Sequence, residues 1–127
     1  MRFDYSNHLG LPPRPYLEVR LSGPSGVIRV DMLLDTGADF NMVPLLMFRQ
    51  LGVLPIKQVP LFGVGGAVAG VLGEVDFSCP AGNWRGLVIG AELAPVFPAL
   101  LGHDDFFQTF DASFSSRGQY FTVEPHP

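Results

Sequence analysis

Charge is scarce in this chain. Of its 127 residues only 16% are Asp, Glu, Lys or Arg, against 47% hydrophobic, and the formal net charge is −4. The eight Lys and Arg are scattered and form no basic patch or aromatic-plus-basic stripe, so nucleic acid is not an expected partner. So few charges leave apolar surface to be covered, by a large core or by a partner copy. Cysteine is nearly absent: Cys79 stands alone, which excludes an intrachain disulfide and fits a reducing compartment. No stretch approaches the roughly 20 apolar residues of a membrane helix. Met1 to Leu11 holds no continuous apolar segment of the signal-peptide kind, so the expected location is cytoplasmic. Metal-ligand spacing is missing among His8, His103, His126 and Cys79, and no Gly-x-Ser-x-Gly elbow occurs. No metal or cofactor is therefore expected.

Turn formers are plentiful instead. Fifteen glycines and twelve prolines cut the chain into short pieces, the punctuation of an all-β domain. The length suits one domain over 1–127, with a core from about 16 to 123 and an irregular arm over 1–15. Tyr16 to Leu21 alternates as a strand, and Val27 to Leu34 places Ile28, Val30, Met32 and Leu34 on one face, so the two predict a hairpin around Ser22 to Gly26. Pro44 to Leu51 reads as a short helix with Gly52 beyond its end. Strands are expected over Val71 to Ser78, Trp84 to Ile89 and Ala99 to Leu101, and a turn or two of helix over His103 to Phe110. A closing hairpin follows over Asp111 to Ser115 and Gln119 to Val123.

The informative run is Met32-Leu33-Leu34-Asp35-Thr36-Gly37-Ala38-Asp39. Alone, Asp-Thr-Gly is a turn signal, since Asp and Thr accept backbone hydrogen bonds and Gly tolerates positive φ. Three further features change its meaning, one being that the strands between are of the right number and length. A glycine-rich stretch, Leu61-Phe62-Gly63-Val64-Gly65-Gly66, follows about thirty residues later. It is no phosphate loop, because no Gly-Lys-Ser/Thr follows and Val68 stands where a dinucleotide fingerprint needs glycine. Near the end, Leu100-Leu101-Gly102 runs straight into the expected late helix.

Together these features resemble the retropepsin family, the retroviral-type aspartic proteases and their cellular and bacterial single-domain relatives, over roughly Tyr16 to Val123. The resemblance implies a small closed barrel with one or two short helices, assembled as a two-fold homodimer, and hydrolysis of an extended peptide or protein substrate. It implies that Asp35 is catalytic, that Thr36 reaches across the two-fold axis, and that Gly37 turns the backbone and offers its carbonyl to substrate. Ala38, Asp39 and Phe40 would bind substrate, with Gly63, Val64, Gly65 and Gly66 as a flap above. Leu100, Leu101, Gly102 and His103 would support the site from below. Phe40, Leu61, Val64 and Val96 would give the cleft an apolar lining. The family usually has Arg where His103 stands, and that Arg pairs with the residue matching Asp39; here the pairing is expected only when His103 carries charge. The departure at His103 and the glycine-rich flap also admit a catalytically silent module of the same fold that dimerises or binds peptides.

Overall fold

The computed structural model describes residues 1–8, 10–63, 66–94 and 97–127, and of residues 63, 66 and 67 the backbone alone. Val64, Gly65 and Val96, expected in the flap and the cleft lining, lie outside the described residues.

The first hairpin joins β2 (Tyr16–Gly23) to β3 (Gly26–Leu34) in the register Tyr16↔Leu33 to Gly23↔Gly26. Its alternation is the one the sequence predicts. Leu17, Val19 and Leu21 are buried while Glu18 and Arg20 are exposed, and along β3 Met32 and Leu34 are buried beneath half-buried Ile28 and Val30. Next come β4 (Met42–Pro44) and α1 (Leu45–Gln50), with Pro44 as the N-cap. The helix buries Phe48 and ends where Gly52 takes a left-handed φ of 70°. The long hairpin of β5 (Lys57–Gly63) and β6 (Gly66–Cys79) follows, then β7 (Gly82–Ala91) and β8 (Ala99–Leu101). After α2 (Phe106–Thr109), β9 (Phe110–Ser115) and β10 (Tyr120–Pro125) make the closing hairpin.

Strands β2-β3-β8-β4-β7-β6 form a sheet that closes on itself through β2–β6 pairing, a six-strand barrel with β5 attached along the outer edge of β6. Inside it, Leu17, Val19, Met32, Val43, Phe48, Val75, Phe77, Val88 and Leu101 form the main core. At about 25 cal/mol per Å² of apolar surface removed from water, burial of this set is the main stabilising term. A second cluster centres on Leu72, Ile89 and Ala91, and half-buried Phe40, Met42, Val59 and Leu61 pack against it.

Three expectations need correction. The arm over 1–15 is not wholly irregular: β1 (Arg2–Asp4) pairs antiparallel with β10 from Arg2↔Thr122 to Asp4↔Tyr120. Phe3 stacks on buried Phe121 with ring centroids 5.3 Å apart, and the Arg2 guanidinium lies 3.8 Å from the Tyr120 ring centroid. Second, the strand expected over Val71 to Ser78 begins earlier, at Gly66, and takes in Gly70. Gly70 pairs with both Val59 and Ala91, and a Cβ there would stand 2.7 Å from Ile89 Cγ2, so a bare backbone is what lets these strands meet. Third, the late helix is shorter than His103 to Phe110, because residues 103 and 104 are bonded to the loop 35–39 and the Asp105 side chain is bonded to Asn41, Trp84 and Leu87.

Candidate active site

The loop 35–39 leaves β3 and is fastened from below by β8. Strand β8 lies between β3 and β4, with Leu33↔Leu100 and Leu34↔Leu101 parallel on one side and Met42↔Leu100 on the other. The Asp35 N–H donates to the Leu101 carbonyl at 3.0 Å. Asp35 then closes a tight turn: its carbonyl accepts the Ala38 N–H at 3.1 Å, and its Oδ1 accepts the Gly37 N–H at 2.9 Å. The carboxylate is thus half-buried and aimed by the backbone that follows it, while Thr36, Gly37 and Asp39 are exposed.

The structure brings the Leu100-Leu101-Gly102-His103 segment directly under this loop. Leu101 is fully buried. The His103 N–H donates to the Ala38 carbonyl at 2.9 Å, and the Asp104 N–H to the Asp39 carbonyl at 2.7 Å. Gly102 is required by close approach: a Cβ there would stand 2.5 Å from the Phe40 carbonyl oxygen and 2.7 Å from that of Ala38. Both are main-chain atoms and cannot swing away. Gly102→Ala is therefore expected to cost about 1–3 kcal/mol of stability and to displace the loop, read as a lower urea midpoint with an unchanged m value.

His103 does not pair with Asp39. Its Nε2 lies 2.6 Å from the Thr36 carbonyl, which can only accept, so Nε2 carries the hydrogen. The ring also rests against Phe107 at 5.2 Å between centroids. Arg and Lys form no ion pair with Asp39 either, among the described residues.

Of the expected flap residues, Gly63 and Gly66 pair with each other as the last rung of the β5–β6 hairpin. Leu61 in its arm and Phe40 in the loop meet the same apolar cluster, which couples the hairpin to the site through packing.

A polar hub behind the site escapes the sequence reading. Asn41, fully buried, donates from Nδ2 to the Leu87 carbonyl at 3.0 Å and to Asp105 Oδ1 at 3.1 Å, and its Oδ1 accepts the Gly102 N–H at 2.9 Å. The Asp105 carboxylate also accepts from Trp84 Nε1 at 2.9 Å and from the Leu87 N–H at 3.0 Å. Gly86 leaves room for it, since a Cβ there would fall 2.3 Å from Asp105 Oδ2. Trp84 stacks on Phe77 with centroids 4.6 Å apart and meets Phe106 and Phe110, both buried. Asp105 also heads α2, where its carbonyl accepts the Gln108 and Thr109 N–H groups while its side chain, turned to the hub, caps nothing. With residues 103 and 104 bonded to the loop and 105 to the hub, helical geometry starts only at Phe106. A usable signal existed: a polar Asn inside the apolar run Phe40-Asn41-Met42-Val43, and a Trp whose N–H needs a partner when buried.

Cys79 is half-buried, and burial pushes its thiol up, which opposes a thiolate nucleophile. Among the described residues no group of three or more His, Cys, Asp or Glu side chains could hold a metal ion, and no helix is long and apolar enough to cross a membrane.

No family model and no curated protein matches the sequence. Solved structures do resemble the fold. The EIAV protease complexed with the inhibitor HBY-793 is 21% identical with a TM-score of 0.59, over 80% of this chain and 93% of that one. The simian foamy virus (mac) protease is 19% identical with a TM-score of 0.50, over 70% and 89%. A retropepsin-like aspartic protease from Rickettsia conorii is 9% identical with a TM-score of 0.60, over 100% and 94%. The closed barrel, with the Asp35 loop seated on β8, has the retropepsin-like fold.

Proposed function

We propose that the chain is an aspartic endopeptidase that works as a homodimer, each copy supplying one Asp35. The observation that carries this reading is the seating of Asp35: an Asp-Thr-Gly turn at the end of a barrel strand, its carboxylate oriented by the Gly37 N–H and its backbone bound to Leu101. One chain offers one such carboxylate. A two-fold axis beside Asp35 would supply the second.

Two carboxylates that close cannot both ionise, so the pair holds one proton over a window of pH. The ionised member takes a proton from a water held between them. The protonated member gives its proton to the scissile carbonyl oxygen as the hydroxyl attacks the carbon. Collapse of the tetrahedral diol breaks the C–N bond, and the amine nitrogen leaves with a proton returned by the pair. In this scheme Thr36 braces the two loops across the axis. The Gly37 carbonyl and Asp39 bind the substrate backbone, Ala38 and Phe40 form the floor, and Gly63 to Gly66 close over the peptide. The apolar packing of Phe40 and Leu61 favours apolar residues near the cut.

The test joins stoichiometry to dilution. A statine-containing peptide, which mimics the tetrahedral diol, is expected to bind at one per two chains. Activity per chain is expected to fall as dilution passes the dimer dissociation constant. Full specific activity from a species that sediments as a monomer refutes the shared site. A dimer that binds the statine peptide yet cleaves nothing identifies the silent peptide-binding module, the reading favoured by His103 standing in place of the family's Arg.

A further inference from the structure

The contact between His103 and Thr36 has a second end. The carbonyl that receives Nε2 at 2.6 Å belongs to the Thr36–Gly37 peptide group, and the N–H of that same group donates to Asp35 Oδ1 at 2.9 Å. One planar amide therefore stands between the imidazole and the carboxylate. We propose that His103 is a positioning residue that tunes the proton affinity of the Asp35 carboxylate through the Thr36–Gly37 peptide. This rests on the reading of Asp35 as the catalytic carboxylate.

The physical chain is short. A donor on an amide oxygen withdraws electron density and makes the N–H of that amide a stronger donor, by about 10–30% per bond in a cooperative series. A stronger bond from the Gly37 N–H stabilises the ionised carboxylate against the protonated one. An imidazolium does this more strongly than neutral imidazole, because a charged donor makes the stronger bond. The geometry is kept at both ends of the residue: the backbone bonds of His103 to Ala38 and of Asp104 to Asp39 fix its root, and Phe107 packs against its ring. The titratable groups on the segments that meet here are Asp35 and Asp39 of the loop and Asp104, the residue after His103. From α2 the ring meets uncharged Phe107, and no Lys or Arg makes an ion pair with these carboxylates among the described residues. The side chain is exposed, so it can be replaced without opening the core.

His103→Phe keeps the ring against Phe107 and the backbone bond to Ala38 but removes the donor. His103→Gln restores a side-chain N–H. The decisive measurement is the pH titration of the Asp35 carboxyl carbon by NMR in the intact protein, its signal assigned by its absence in Asp35→Asn. His103→Phe is expected to move the midpoints of the pair upward, and His103→Gln to recover at least half of that. The acid limb of kcat/KM is expected to move with them, while KM at the optimum stays within about twofold. His103→Ala, which also lacks the donor, serves if the Phe variant does not fold. Midpoints that coincide in wild type and the donorless variant, or a Gln variant that titrates like the donorless one, overturn the proposal. A wild-type protein that cleaves no peptide refutes the peptidase reading alone, because the carboxyl titration still decides whether His103 acts on Asp35.

Discussion

Asp35→Asn is expected to abolish the proposed peptide hydrolysis, by roughly a thousandfold or more in kcat, while leaving the barrel and the proposed dimer intact. The two halves of this expectation have different sources. The chemical half follows from the proposed dyad: an amide cannot hold the shared proton, take one from water or return one to the leaving nitrogen. The structural half follows from the turn. The Asn side-chain oxygen can still accept the Gly37 N–H, now at 2.9 Å from Asp35 Oδ1, and the bonds to Leu101 and from Ala38 use the backbone alone. Asp35→Ala lacks that acceptor as well and separates the effects. It is expected to lose activity to the same degree and, in addition, to lose about 1 kcal/mol of stability. The check is kcat/KM on a peptide library beside thermal unfolding and sedimentation at matched concentration. Asp35→Asn with wild-type turnover would remove Asp35 from the chemistry, whatever the fold.

How far the sequence foretells this site depends on the range of each interaction. The first hairpin was legible because period-two alternation is local: Leu17, Val19 and Leu21 face in, Glu18 and Arg20 face out. Ala99 to Leu101 was legible as a strand because a short apolar run stood between proline and glycine. Asp35 could be singled out because the turn and its apolar lead-in are contiguous. Strand β1 could not, since Arg2–Asp4 is too short to show a period and its partner lies more than a hundred residues away at Tyr120–Pro125. The start of β6 was missed for another reason. Glycine there argued against a strand before Val71, yet Gly70 serves close packing against Ile89 inside a ladder. His103 was legible as a departure from a family pattern but not in its contact, because ring direction depends on the backbone bonds at Ala38 and Asp39 that the fold creates. The hub of Asn41, Trp84 and Asp105 draws on three segments of the chain, and no window of sequence contains it.

Asp105→Ala is expected to be the most destabilising single substitution at the site, at about 3–5 kcal/mol. That is a large share of the roughly 5–15 kcal/mol that holds a domain of this size together. The carboxylate receives Trp84 Nε1, Asn41 Nδ2 and the Leu87 N–H, and its removal strands these donors in an interior that also contains Phe77, Phe106 and Phe110. The damage should travel. Asn41 is the link between Asp105 and the Gly102 N–H, and Gly102 is the close contact under Ala38 and Phe40, so a loosened Asn41 relaxes the floor that carries Asp35. Asp105→Asn is the more informative variant. Its oxygen can replace Oδ1 toward Trp84 and Asn41, but its NH₂ group then faces the Leu87 N–H, donor against donor, at a cost of about 1–3 kcal/mol. Urea unfolding at one fixed protein concentration measures both, since the proposed dimer would make stability depend on concentration. A double-mutant cycle of Asp105→Ala with Trp84→Phe should give a coupling above about 1 kcal/mol, because the second change removes one of the stranded donors. If Asp105→Ala unfolds within about 0.5 kcal/mol of wild type, the carboxylate is not what ties β7, the Asn41 segment and α2 together, and the rigidity of the Asp35 loop must come from β8 and the backbone bonds of His103 and Asp104.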